Sequence, residues 1–118
     1  MKKFWGYHLI LDCAGCENVS HEPTFHAWIT DLVNQIDMVA FGNPQILHFG
    51  HNDPCLAGWT VLQFIETSDI IAHFCDNTHE GYIDIFSCKP FNKEIAKSVV
   101  QHYFNPTSIR ETYLVRQA

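Results

Sequence analysis

Glu66-Thr67-Ser68-Asp69-Ile70-Ile71-Ala72-His73-Phe74, followed by Gly81-Tyr82-Ile83-Asp84-Ile85-Phe86-Ser87-Cys88, is the stretch from which the fold can be read. Both halves carry the apolar/polar rhythm of strands, and Cys75 to Glu80 between them is a polar loop, so the segment reads as a β-hairpin. Ser68 stands just before the first strand and Cys88 just after the second, and a hairpin brings those two ends together. His73 lies five residues after the serine, and Cys88 fifteen beyond the histidine. A hydroxyl, an imidazole and a thiol are therefore expected to converge on one edge of a sheet. That is a concentration of reactive side chains.

Upstream, Phe4 to Cys13 is rich in aromatic and aliphatic residues and reads as a strand buried on at least one face. Ala14-Gly15, with Asn18 and Ser20, ends it. Thr24 to Met38 places Phe25, Trp28, Ile29, Leu32, Val33 and Ile36 on one helical stripe, with Pro23 suited to the first turn. Val39 to Phe41 is short and apolar, and Gly42-Asn43-Pro44 is a turn. Gln45 to Phe49 and Trp59 to Ile65 read as strands around a polar loop, Gly50 to Gly58. Beyond the hairpin, Asn92 offers an N-cap to a second helix carrying Ile95, Ala96, Val99, Val100 and Tyr103 on one face. Asn105-Pro106 stops that helix, and Ile109 to Val115 is a last strand. Two one-sided helices among these strands predict an α+β fold of two layers, both helices on one face of a mainly antiparallel sheet. Residues 1–118 are expected to form a single domain.

A hydrophobic content of 47% excludes a disordered chain. Net charge is −6 with only seven Lys and Arg, which argues against a nucleic-acid partner. No apolar run approaches the roughly 20 residues of a membrane span. Met1-Lys2-Lys3 is basic, but Asp12 and Gly15 interrupt the apolar residues after it, so no signal peptide is expected and the cytoplasm is the predicted location. There the five cysteines should stay reduced. Cys13-Ala14-Gly15-Cys16 has the C-x-x-C spacing of redox and zinc motifs. No second pair completes a zinc site, so no metal is expected and strand-end packing is the simpler reading.

The hairpin resembles the core of the prokaryotic S-adenosylmethionine decarboxylases, the self-processing pyruvoyl enzymes of polyamine synthesis. Their pattern is Glu-Ser-His, a strand, a histidine, Thr-Trp-Pro-Glu, then a strand ending Asp-(apolar)-Phe-Thr-Cys. Thr67-Ser68-Asp69, His73 and Asp84-Ile85-Phe86-Ser87-Cys88 keep the serine–histidine and histidine–cysteine spacings without a gap. Gly6-Tyr7-His8-Leu9-Ile10-Leu11-Asp12 is similar to the family's opening strand. The likeness covers most of the chain and is loose from Cys16 to Pro54. It implies an αββα-type sandwich in which two copies pair, hence a homodimer.

The resemblance also implies a chemistry. α-Amino acid decarboxylation needs an electron sink, which free side chains do not supply and a ketone beside a carbonyl does. In such a protein Ser68 Oγ attacks the Thr67 carbonyl and the peptide bond becomes an ester. β-Elimination then cuts the chain, and position 68 becomes a covalent pyruvoyl group with loss of ammonia; no PLP is needed. By resemblance His73 removes the Ser68 α-proton, the Thr60 hydroxyl assists processing, Glu66, Thr67 and Asp69 frame the cut, and Cys88 returns a proton to the substrate. His8 and Asp12 would lie at the site rim. The implied function is decarboxylation of S-adenosylmethionine, a small-molecule substrate, to the aminopropyl donor for spermidine.

The Thr-Trp-Pro-Glu segment is absent. Asn77 stands where the family glutamate binds ribose hydroxyls, with Asp76 beside it and Glu80 nearby. An amide accepts such bonds less strongly than a carboxylate. Phe49 is the candidate for stacking on adenine. Loss of a ribose contact is what a switch to L-arginine or L-ornithine would look like. A third reading is a ligand-binding paralogue that never self-processes, since Asp69 replaces a common histidine. Taken singly, Ser68 is an ordinary strand-end serine, His73 a core histidine and Cys88 a small hydrophobe. The triple at fixed spacing separates the readings. Trp5, Trp28 and Trp59 suit core or interface roles.

Overall fold

The structure is a computed structural model and describes residues 4–118. Met1-Lys2-Lys3, the basic start considered for a signal peptide, lies outside the described residues. The elements are β1 (Gly6–Ala14), α1 (Glu22–Gln35), β2 (Gln45–Phe49), β3 (Gly58–Ile65), β4 (Ser68–Cys75), β5 (Gly81–Ser87), α2 (Lys93–Phe104) and β6 (Ser108–Arg116). The strands form one six-stranded sheet in the order β2-β3-β4-β5-β1-β6, and every neighbouring pair is antiparallel. This is the predicted α+β arrangement, with one sheet and two helices.

Alternation along the strands sorts side chains between two faces. Leu9, Leu11, Val61, Ile70, Ala72, Phe74, Ile83 and Ile85 are buried on the helix side. Against them α1 lays Phe25, Trp28, Ile29, Leu32 and Val33, and α2 lays Ala96, Val99, Val100 and Phe104. The centre is aromatic: the Phe74 ring lies 4.9 Å from Phe25 and 4.6 Å from Phe104, and Trp28 meets Phe104 edge-on at 5.4 Å. Strands β3 and β4 approach so closely that a Cβ on Gly58 would lie 2.1 Å from the Phe74 carbonyl oxygen, which only glycine avoids.

Asn92 caps α2 by accepting from the Glu94 and Ile95 amides, as expected. Ile95, expected inward, is 37% exposed instead, because the buried stripe runs through Ala96 and its neighbours. Helix α1 ends at Gln35 rather than reaching Met38. There Asp37 turns left-handed at φ 60°, and the Met38 amide bonds the Val33 carbonyl at 2.9 Å. That Schellman turn redirects the chain and drives Met38 under the sheet. Val39 to Phe41 adds one bridge, Ala40 to Ile65.

The second face of the sheet carries no helix. Strand pairing arranges its side chains in cross-strand rows. The first row is Phe64–Asp69–Phe86–His8–Leu114, the middle row Leu62–Ile71–Asp84–Ile10–Thr112, and the far row Leu47–Thr60–His73–Tyr82–Asp12–Arg110. Phe49 lies just beyond the far row. Several are large, apolar and open, with Leu47 59% and Phe49 52% exposed, and Phe64 and Leu114 close to half.

Candidate active site

The hairpin ends meet as its sequence implies. Ser68 opens β4 opposite Ser87, the last residue of β5, and Cys88 comes directly after. The Cys88 amide donates to the Thr67 carbonyl oxygen at 2.9 Å. The Thr67 and Ser87 hydroxyls are 2.7 Å apart, and the Met38 sulfur lies 3.4 Å from the first and 3.7 Å from the second. Ser87 is fully buried and also accepts from the Lys89 amide at 3.0 Å. Ser68 itself has φ 152°, a positive value that an L side chain seldom takes, at a cost of about 1–3 kcal/mol. That torsion turns about the bond next to the Thr67–Ser68 peptide, so cutting that peptide abolishes the strain.

His73 does not join this group. It is five residues along the same strand, about 17 Å at ordinary strand rise, and an odd spacing puts neighbouring side chains on opposite faces. Its partners are Thr60 on β3, whose Oγ1 lies 3.0 Å from His73 Nδ1, and Tyr82 on β5. The hairpin therefore brings the Ser68 and Cys88 ends of the chain together and leaves His73 further along β4. The meeting place is also a strand-end region near the middle of the sheet, since β4 and β5 are third and fourth of six.

Other candidates divide in the same way. His8 lies in the first row, its Nε2 2.9 Å from Asp84 Oδ1, its ring against Phe86. Asp69 shares that row. Burial raises its carboxyl above the usual carboxylate range; His8 works against this and Asp84 adds to it. Glu66 is exposed, and its amide is tied to the Val39 carbonyl. Asp12 sits in the far row beside Tyr82. The Tyr82 hydroxyl donates to Glu80 at 2.7 Å, which pushes its pKa up to about 12. Asn77 is exposed at the hairpin tip, and Phe49 is beyond the same end. Asp76 is engaged, 2.5 Å from His48 Nε2. Thus His8 and Asp69 lie at one end of the uncovered face, beside the strand ends that carry Ser68 and Cys88, and Thr60, His73, Asp12 and Phe49 lie at the other, next to the hairpin tip with Asn77.

Sequence reasoning passed over Ser87, Asp84 and Met38. Ser87 and Asp84 stood in the hairpin motif, and counting alternate positions from Cys88 would have put Ser87 inside and Asp84 on the open face. Cys13 and Cys16 are buried at the end of β1, where contact between the two thiols pushes Cys13 up and Cys16 down. Among the described residues no three His, Cys, Asp or Glu side chains are grouped to hold a metal, and no two cysteines form a disulfide. No helix among them is long and apolar enough to cross a membrane. Trp28 is core, Trp59 leans on it, and Trp5 is half exposed.

A serine at positive φ, a backbone donor on the carbonyl before it and a cysteine thus meet at one end of the hairpin. The chain matches the S-adenosylmethionine decarboxylase family over residues 7–117. No curated protein matches it in sequence. The crystal structure of the adenosylmethionine decarboxylase from Aquifex aeolicus VF5 is similar throughout. It has a TM-score of 0.82 at 17% identity, over 99% of this chain and 94% of that one. The family pattern spans nearly every element just described, and the chain belongs to the S-adenosylmethionine decarboxylase family.

Proposed function

We propose that this protein cuts its own chain between Thr67 and Ser68 and then decarboxylates S-adenosylmethionine, supplying the aminopropyl donor for spermidine in the cytoplasm. The observation that carries this reading is the Cys88 amide on the Thr67 carbonyl beside the strained Ser68. Ser68 Oγ adds to the Thr67 carbonyl carbon, and the Cys88 N–H bears the charge that builds on the oxygen. The carbon–nitrogen bond breaks, the proton of the hydroxyl ends on the nitrogen, and an ester remains. A base removes the Ser68 α-proton, the Thr67 carboxylate leaves, and water releases ammonia. The pyruvoyl group, carried at position 68, would supply a ketone that serves as the electron sink for the decarboxylation. The Cys88 thiol delivers a proton to the substrate carbon.

The base is His73 from a second copy. The uncovered face exposes apolar side chains, and a sheet face of this kind is stable when another sheet covers it. A two-fold axis along the middle row exchanges first and far rows, so each Thr60–His73 pair of one copy lies over the strand end that carries Ser68 in the other. Both sites form at once, as an isologous dimer requires. Asp12, Asn77 and Phe49 arrive with that pair and line the substrate's distal part. The same chemistry on L-arginine or L-ornithine is the competing reading. It is favoured by the hairpin tip, where Asn77 is neutral and Asp76 is occupied by His48.

Intact mass under denaturing conditions tests the cut. Two fragments, residues 1–67 and a pyruvoyl-capped 68–118, are expected. A single full-length mass after long incubation would replace the enzyme reading with that of an unprocessed ligand-binding paralogue. Carbon dioxide released from S-adenosylmethionine, and not from arginine or ornithine, fixes the substrate.

A further inference from the structure

We propose that Ser87 is a positioning residue for the self-cleavage. Its buried hydroxyl and the neighbouring Cys88 amide hold Thr67 from two sides and present its carbonyl carbon to Ser68 Oγ. The inference rests on the reading that the chain is cut before Ser68.

Thr67 is the residue whose carbonyl must be attacked, and two consecutive residues grip it. Cys88 takes the carbonyl oxygen through its amide at 2.9 Å, and Ser87 takes the side-chain hydroxyl at 2.7 Å. Two contacts to one residue restrict both translation and rotation about its backbone, whereas the amide contact alone leaves the carbonyl plane free to swing. Ser87 is suited to the task because it cannot move. It has no exposed surface, accepts from the Lys89 amide at 3.0 Å and rests against the Met38 sulfur at 3.7 Å. Met38 touches the Thr67 hydroxyl as well, at 3.4 Å, so the pair sits in a closed seat beneath the bond. A fully buried hydroxyl costs free energy unless it is bonded, and beyond Lys89 the Ser87 hydroxyl has as partners Thr67, at the shorter distance, and the Met38 sulfur.

No group outside the chain is needed for the step. Oxygen Oγ forms a bond to the Thr67 carbon, the Thr67–Ser68 carbon–nitrogen bond breaks, and the hydroxyl proton passes to the freed nitrogen. The Ser87 hydroxyl exchanges no atoms. It fixes the direction of the carbonyl, and a misplacement of about 1 Å can cost roughly 100-fold in rate. Thr67 keeps its grip after the cut, because its new carboxylate still faces the Cys88 amide, and so the two fragments remain docked.

The test is the rate of fragment formation, followed by intact mass from the time of synthesis in a cell-free reaction. Wild type, Ser87→Ala, Thr67→Val, Thr67→Ser and the Ser87→Ala/Thr67→Val double variant are compared. Each single removal is expected to slow cleavage by roughly 10- to 100-fold. The double variant should be no slower than the slower single one, because both remove the same bond. Thr67→Ser, which keeps the hydroxyl, should cut near the wild-type rate. Ser87→Ala on an uncleavable Ser68→Ala background, compared with Ser68→Ala alone, should melt within a few degrees of it, which separates positioning from collapse of the fold. If Ser87→Ala does not fold, Thr67→Val against Thr67→Ser carries the same comparison from the other partner. Cleavage of Ser87→Ala and Thr67→Val at the wild-type rate, or multiplied effects in the double variant, would overturn the proposal while leaving the cut itself intact. A wild-type chain that never cuts would overturn both.

Discussion

Cys88 gives its backbone N–H to the Thr67 carbonyl oxygen at 2.9 Å while its thiol remains a separate instrument. Two functions of one residue can therefore be taken apart. Cys88→Ala keeps the amide and should cut itself within a few-fold of the wild-type rate. Its turnover should fall by about 100-fold or more, the usual contribution of a positioned proton donor. Fragment masses and carbon dioxide release measured on one preparation check both halves. Loss of cutting together with turnover would assign the thiol, rather than the amide, to the cleavage step.

The separation of His73 from Ser68 makes a complementation experiment decisive. His73→Ala alone should stay uncut, and so should Ser68→Ala. Mixed during expression, they form hybrid dimers in which an intact Ser68 faces an intact His73, and only the His73→Ala chain should be cleaved. No cleavage in the mixture would show that His73 acts within its own chain or not at all. Phe64→Asp, on the uncovered face, should shift the protein towards a monomer in light scattering and remove cleavage with it.

Asp69 links stability to pH. Burial raises its folded pKa, so the folded state holds the proton more tightly than the unfolded chain does. Stability from this residue is then lost as pH rises from the ordinary carboxylate value through the folded one. Asp69→Asn on the Ser68→Ala background should melt higher than Ser68→Ala at neutral pH. The gain should vanish below about pH 4, where both states of the wild-type carboxyl are protonated. Melting curves across pH check this, and a gain independent of pH would mean that the charge is not its source.

The core makes a sharper demand at Gly58. A Cβ there meets the Phe74 carbonyl at 2.1 Å, and a backbone atom cannot step aside as a side chain can. Gly58→Ala should lower stability by about 2 kcal/mol or more, at the upper part of the range for overpacking. Phe74→Ala, which leaves a hole among Phe25, Trp28 and Phe104, should cost about 3–5 kcal/mol. Chemical denaturation of the Ser68→Ala protein provides the scale for both.

Local rules carried the sequence far. Period-two alternation in Ile70 to Phe74 and Gly81 to Phe86, helical spacing from Phe25 to Val33 and the Asn92 cap each act over a few residues, and each was written in the residues themselves. The meeting of Ser68 with Cys88 was legible for the same reason, since a hairpin closes its own ends. What lay beyond local rules was the distance between side chains on a common strand. Ser68 and His73 are near in sequence and far in space because a strand is extended. Thr60 and His73 are thirteen residues apart and bonded, because β3 and β4 run side by side in one register. Met38 reaches Thr67 and Ser87 only because Asp37 turns the chain left-handed after α1. The order of residues was enough to say which chemical groups the chain brings and which strands bear them. That these groups fall at two ends of one sheet came from the assembled fold, because pairing register, unlike periodicity, is a property of segments distant in the chain.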